Sequence, residues 1–187
     1  MIDVADADAV SARAVVVAVG PADVGSLLDL PRPATKGLQT WWFAADAAPS
    51  ASALLSVDGR RRGPVVNTVF MSNAAPSYAP AGRHLIEATC LLPDADPAAA
   101  PGEAQVRRQL AEIWGADTGG WELLRRDDIP DALPVQPPPF RVAKPVRQGE
   151  GLYVAGDHRD TASIQGALVS GERAARAVLA DFDGAAT

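Results

Sequence analysis

The chain has 187 residues, enough to bury a real core in one large domain or two small ones, and 48% of them are hydrophobic. Its net charge of -6 argues against a nucleic-acid partner, because phosphate binding needs clustered Lys and Arg. No apolar run approaches the roughly 18 residues needed to span a bilayer, and Met1-Ile2-Asp3-Val4 lacks the basic and apolar regions of a signal peptide, so a soluble, cytoplasmic protein is expected.

In chain order, residues 4–11 read as a short polar hairpin arm that turns at Asp6-Ala7-Asp8. Residues 14–19 (Ala-Val-Val-Val-Ala-Val) form a continuous apolar run ended by Gly20-Pro21, as suits a strand buried on both faces of a parallel sheet. From 37 to 92 the signal is mostly antiparallel strand, with runs at 38–43, 53–57, 64–71 and 83–92 separated by Gly, Pro, Asn and Ser. Arg60-Arg61-Arg62 follows Asp58-Gly59 and reads as a solvated hairpin tip rather than a phosphate site. Cys90 stands alone inside an apolar run, as a buried inert thiol does. Of Trp41 and Trp42, one is expected in the core and the other at a rim; lining an apolar substrate pocket is the alternative.

Residues 97–101 form a Pro/Ala loop. The spacing then predicts a helix over 102–114 with Val106, Leu110, Ile113 and Trp114 on one stripe, Glu103, Arg107, Arg108 and Glu112 outside it, and Gly115 as its stop. A further strand at 121–124 precedes an extended, proline-rich connection over 130–145. Residues 152–155 read as a short buried strand and residues 164–182 as a closing helix. Continuous and alternating strands suggest two subdomains, 1–30 with 146–187 and 31–145 between them.

The stretch 151–179 carries the chemistry. An apolar strand ends at Ala155, Gly156 permits a tight turn or close approach, and Asp157 lies at the strand's C-terminal edge, where α/β folds place ligand contacts. Thr161 and Ser163 are candidate N-caps. Gly166, Ala167, Ser170, Gly171, Ala174 and Ala175 recur as a small-residue face, with Leu168, Val178 and Leu179 expected to supply the apolar contacts. The helix start leaves unpaired N–H groups and a positive dipole end, which suits a carbonyl-bearing or anionic partner. Taken singly, each of these residues also reads as packing.

Ala155-Gly156-Asp157, a short loop, Ser163-Ile164-Gln165-Gly166-Ala167 and then Ser170-Gly171 with Ala174-Ala175 resemble the C-terminal FAD motif of the flavin amine oxidase superfamily. That superfamily includes amine oxidases, protoporphyrinogen oxidases and phytoene-desaturase-like enzymes. More weakly, residues 14–20 resemble the strand that returns the chain to the FAD domain, and residues 130–151 the connection before the motif. The resemblance implies an α/β (α+β overall) fold: an incomplete FAD-binding Rossmann-like part plus an antiparallel-sheet substrate domain. It implies that Gly156 and Asp157, with Ser163, Ile164, Gln165, Gly166 and Ala167, hold the cofactor. Asp157 would contact the ribityl–pyrophosphate part. The backbone around Ile164 and Gln165 would face the flavin O2 edge, and Gly166 and Ala167 would admit the ring. The implied reaction takes a hydride from a small amine or apolar substrate, with no side chain here evident as catalytic acid or base.

These enzymes grip the ADP half of FAD with a Gly-x-Gly-x-x-Gly turn, whereas residues 20–25 read Gly-Pro-Ala-Asp-Val-Gly. The chain is therefore expected to be the C-terminal portion of such an enzyme, through truncation, a split gene or a late start codon. By itself it is expected to bind FAD weakly or not at all. The alternatives are a non-catalytic remnant or subunit that needs a separate N-terminal half or a homodimer partner, and an unrelated α+β binding domain. His84 and His158, 74 positions apart, have no metal-ligand spacing. Asp157-His158-Arg159-Asp160 reads as a solvated loop, with a general base as the sharper alternative.

Overall fold

The computed structural model describes residue 5, residues 8–93 and residues 99–184. The chain divides into two compact units, Met1–Thr35 with Leu133–Thr187 and Lys36–Ala132. The fold is α+β. Asp6 and Ala7 of the expected hairpin turn and part of the Pro/Ala loop lie outside the described residues.

The central unit is built on a sheet ordered β3-β4-β5-β2-β6. Its strands are β2 (Thr35–Ala45), β3 (Ser56–Val57), β4 (Val65–Phe70), followed by the short helix α2 (Met71–Ala74), β5 (His84–Leu91) and β6 (Glu122–Pro134), and β2–β5, β5–β4 and β4–β3 pair antiparallel. Alternation decides what is buried. Trp41, Phe43 and Ala45 of β2 and Ile86, Ala88 and Cys90 of β5 point to one face, and α3 (Glu103–Trp114) lays Val106 and Leu110 on it. Phe70 meets the ring of Trp114 edge-on at 4.8 Å and that of Trp121 at 5.9 Å. Each fully buried aliphatic side chain contributes about 1.5–3 kcal/mol.

The α3 stripe is as expected, with one addition: Gln109 is buried as well. Its amide brackets the Val65 peptide, accepting from the N–H at 2.6 Å and donating to the carbonyl at 2.9 Å. A polar residue enters the core here because it satisfies a strand-end peptide that would otherwise lose its hydrogen bonds. Trp41 is in the core and donates to Gln39 at 2.7 Å, whereas Trp42 is half-buried and donates to Asp127 at 3.2 Å. The arginine run follows the β3 end, where Arg62 lies 3.5 Å from Asp58 and 3.6 Å from Glu112. The strand expected at 53–57 shortens to Ser56–Val57, with Leu54 and Leu55 exposed. The strand expected at 121–124 lengthens into β6, through Pro130, a residue tolerated because β6 is at the sheet edge.

The terminal unit holds a smaller sheet ordered β1-β8-β7, with β1 (Val15–Val17) parallel to β8 (Leu152–Val154) and β7 (Arg147–Gly149) antiparallel to it. Helix α4 (Ile164–Gly184) covers one face, where Tyr153, Ala155 and Val146 meet Ala174, Ala177 and Val178. Helix α1 (Val24–Leu27) and the following residues cover the other, where Val17, Val24 and Val154 cluster with Val15, Val19, Leu28, Leu30 and Leu152. Two expectations fail here. Val16 is exposed, not buried, at the edge strand of the sheet among the described residues. Leu168 and Leu179 point outward, and of the small residues only Gly166, Ser170 and Ala174 are fully buried, on one line at four-residue spacing.

Candidate active site

Strand β8, the residues after it and the start of α4 build the site. After Ala155 the chain turns at Gly156, whose φ of 148° is a conformation L side chains rarely adopt. A Cβ there would also come within 2.5 Å of the His158 ring. Residues Asp157–Arg159 form a 3₁₀ turn, and Asp157 itself remains partly exposed. Ser163 caps α4: its Oγ accepts from the Gly166 N–H at 3.0 Å and its carbonyl from the Ala167 N–H at 3.0 Å. Thr161, the other cap candidate, instead shares a hydroxyl contact with Ser163 at 2.9 Å. The amides of Ile164 and Gln165 have no intrahelical acceptor, and both side chains are exposed. Gly166 is buried, and a Cβ on it would overlap the Thr161 carbonyl oxygen, so the protein's own loop already requires glycine there. Ala167 is half-buried on the next turn.

The loop 157–160 is not solvated. His158 and Asp160 are buried, and three side chains from elsewhere in the unit hold the backbone. Arg173 donates to Asp160 Oδ2 at 3.0 Å, to the Arg159 carbonyl at 2.8 Å and to the Lys144 carbonyl at 3.0 Å. Lys144 Nζ donates to the His158 carbonyl at 3.0 Å, and Gln136 donates to that of Asp160 at 2.9 Å. Ser170, fully buried on α4, accepts the Gly156 N–H at 2.8 Å. Its one proton has the Gly156 and Ala167 carbonyls, each at 2.8 Å, to choose between. Strand end and helix are thereby clasped at the glycine. Sequence spacing had put Ser170 in the small-residue face without revealing that its hydroxyl serves Gly156. Gln136 and Lys144 lie in the proline-rich connection and carried no local signal.

Burial, reinforced by the Arg159 charge and opposed by Asp157, holds His158 below the ordinary imidazole range. It is neutral at pH 7, so its 3.9 Å approach to Asp157 is not an ion pair, and neither ring nitrogen has a hydrogen-bond partner among the described residues. Neither feature suits an acid or base that must meet substrate. Cys90 is buried, and burial, with the Glu87 charge, pushes its thiol up to about 12. Among the described residues no group of His, Cys, Asp and Glu gathers to hold a metal.

The site thus consists of a parallel strand ending in Gly-Asp, a braced turn and a capped helix start. The profile of the family described as flavin containing amine oxidoreductase matches residues 2–179. The chain belongs to this family. Among solved structures, an oxidoreductase from Methanosarcina mazei matches with TM-score 0.62 and 18% identity over 91% of this chain and 44% of its own. A protein from an Exiguobacterium species, assigned as a protoporphyrinogen oxidase, matches with TM-score 0.67 and 16% identity over 91% of this chain and 41% of its own. A Pyrococcus furiosus protein matches with TM-score 0.64 and 15% identity, covering 93% of this chain and 42% of its own. The chain thus spans less than half the length of these three structures, and at such identities the likeness is one of fold. No curated protein matches it significantly. No helix among the described residues is long and apolar enough to cross a membrane.

Proposed function

We propose that this member of the flavin family supplies the ring-facing half of an FAD site in an oxidoreductase acting on a small amine or apolar substrate in the cytoplasm. The observation that carries the reading is the start of α4. Ser163 caps one amide, and those of Ile164 and Gln165 have no acceptor among the described residues, in the helix that follows the turn after β8. Amides at a helix N-terminus stabilise charge gathered on a carbonyl edge, and Asp157, in the turn between β8 and α4, would accept from the hydroxyls of the ribityl chain. A flavin held there would supply two-electron oxidation: a hydride leaves a substrate C–H and a proton leaves the neighbouring N or C as the bond between them becomes double. The chain's residues position the flavin: Ser170 fixes Gly156, Arg173 and Lys144 fix the turn bearing Asp157, and Ser163 fixes the direction of the amides.

Those residues fit the flavin end of the cofactor only, since residues 20–25 lack the glycine spacing that cradles a pyrophosphate. The chain therefore acts as the C-terminal portion of a larger enzyme or as one subunit of it. A non-catalytic remnant is the second reading, favoured by the position of β1 at the end of a three-stranded sheet among the described residues. FAD titration followed by flavin fluorescence tests both readings. The chain alone is expected to bind weakly or not at all, and to hold FAD once a polypeptide bearing the missing turn is supplied. A purified chain that is yellow at near-stoichiometric occupancy refutes the half-site reading, and a completed assembly that stays colourless refutes the flavin reading.

A further inference from the structure

In the central unit, the sheet face turned away from α3 holds a carboxyl group with no cation beside it among the described residues. Alternation turns Trp41, Phe43, Ile86 and Ala88 toward α3, so Trp42 and Glu87 point to the opposite face. Glu87 lies in the middle of that face. Its register partners are Trp42 on β2 and Val69 on β4, and β5 is the third of five strands. Only 8% of Glu87 is exposed, Val69 is buried, and Trp42 is half-buried with its indole N–H committed to Asp127. One carboxyl oxygen is used: the Thr89 hydroxyl, two positions along β5, donates to Oε1. No described residue donates to Oε2. That atom is not sealed either, since the sealed, unpartnered side-chain nitrogens and oxygens among the described residues belong to His158, Arg159 and Arg173. Burial raises the Glu87 carboxyl above its ordinary range, the Thr89 hydroxyl opposes it, and no neighbouring charge contributes. The buried Asp160 differs, with Arg173 at 3.0 Å. A buried carboxylate is costly unless it is paired and hydrogen-bonded, and Glu87 lacks one cationic donor at Oε2.

We propose that Glu87 anchors an amine on this face, its open Oε2 accepting an N–H of a primary or secondary ammonium whose hydrocarbon part lies against Trp42 and Val69. The ammonium supplies counter-charge and donor together, which a hydroxyl does not. The indole adds to the attraction, because an aromatic ring face draws a cation held near it. A neutral hydrocarbon leaves the carboxyl as short of a partner as before, and a quaternary ammonium has no N–H to give. The inference rests on the oxidoreductase reading above and narrows its substrate class from an amine or apolar compound to an amine.

The test titrates the full chain at pH 7 with hexylammonium and with hexanol, its neutral counterpart, by calorimetry and by tryptophan fluorescence, to which Trp42 contributes. Hexylammonium is expected to bind one-to-one and at least about tenfold more tightly than hexanol, as a hydrogen bond to a charged group allows. Glu87→Gln keeps the shape and an acceptor for Thr89, and should abolish that preference. Glu122→Gln, at an exposed acid of the same sheet, should leave it intact. Circular dichroism checks the fold of both variants, and the comparison of the two probes on the unsubstituted chain needs no variant. A chain that binds neither probe saturably, or binds both alike, overturns the proposal. So does a preference that survives Glu87→Gln, or one that Glu122→Gln removes equally, which would show attraction to the net charge of -6 alone. No flavin is needed, so the two readings separate. Glu87-dependent amine binding by a chain whose completed assembly stays colourless keeps the amine site and removes the flavin reading, whereas flavin uptake without amine binding does the reverse.

Discussion

The central and terminal units use the same kinds of element and come out differently furnished. The central unit buries Trp41, Phe43, Phe70, Ile86, Val106, Leu110 and Trp121 in one cluster under α3. The terminal unit splits its buried residues between two small clusters on opposite faces of three short strands, while Val16, Ile164, Leu168 and Leu179 stay in solvent. The first closes its core from its own residues. Both leave apolar side chains in solvent, Leu54, Leu55 and Val57 in the first and Ile164, Leu168 and Leu179 in the second, but the second gathers no cluster as large as that under α3.

The comparison breaks most readily at the cores. Phe70→Ala should cost the central unit about 3–5 kcal/mol, because it empties the space between two tryptophan rings. Leu168→Ala in the terminal unit should stay within about 0.5 kcal/mol, as exposed substitutions do. Urea unfolding measures both. All four tryptophans (Trp41, Trp42, Trp114 and Trp121) lie in the central unit, so their fluorescence reports that unit alone. A Leu168→Ala chain destabilised as much as the Phe70→Ala chain would contradict the exposure of Leu168.

Next in size is the clasp at Gly156. Ser170→Ala removes the acceptor of a buried amide and should cost about 1–3 kcal/mol. Gly156→Ala forces a strained φ and crowds His158, at about 1–3 kcal/mol. Amide hydrogen exchange in β8 and α4 should quicken in both variants while tryptophan fluorescence holds steady; a matching loss in the central unit would contradict the division.

Smaller still is an opposite response to acid. His158 in the folded chain titrates below its ordinary 6.5, so over the interval between the two values the unfolded chain binds more protons. Stability of the terminal unit therefore falls as pH drops below 6.5, and His158→Gln should flatten that limb. Burial raises Glu87 above its ordinary 4.5, against the pull of the Thr89 hydroxyl. Its contribution to the central unit is present below 4.5 and is lost as pH rises through the folded value, and Glu87→Gln should remove that trend. Urea midpoints from pH 4 to 8, read by exchange for one unit and by tryptophan for the other, check both signs. The smallest effect is at Arg62, whose half-exposed pairs with Asp58 and Glu112 should yield about 0–1 kcal/mol to Arg62→Ala in the same urea measurement.

Elements whose causes are local were legible. The α3 stripe and its end at Gly115, the β4 and β5 runs, the short β8 and the long α4 follow from spacing, turn residues and caps. In the candidate site, Gly156, Ser163 and Gly166 stand where glycine and a hydroxyl were expected. For Gly166 the reason turned out to be the Thr161 carbonyl as well as any ligand. What could not be read is carried by long-range partners. The turn 157–160 looks polar enough to be solvated, yet Arg173, Lys144 and Gln136 arrive from 13 to 24 positions away to bury it. Val16, Leu168 and Leu179 are apolar and periodic, so by spacing alone they belong in a core.

By itself the sequence determined the kinds and order of the elements, the family motif from Gly156 to Ala175 and the lack of a pyrophosphate-cradling turn at 20–25, because each rests on neighbours within a few positions. The tertiary structure decided which apolar residues find cover. Burial depends on what lies across the sheet and beside the helix, and periodicity carries no record of a missing neighbour. It also decided that His158 is neutral and Gly156 clasped, since both follow from groups brought together only when α4 packs back on β8.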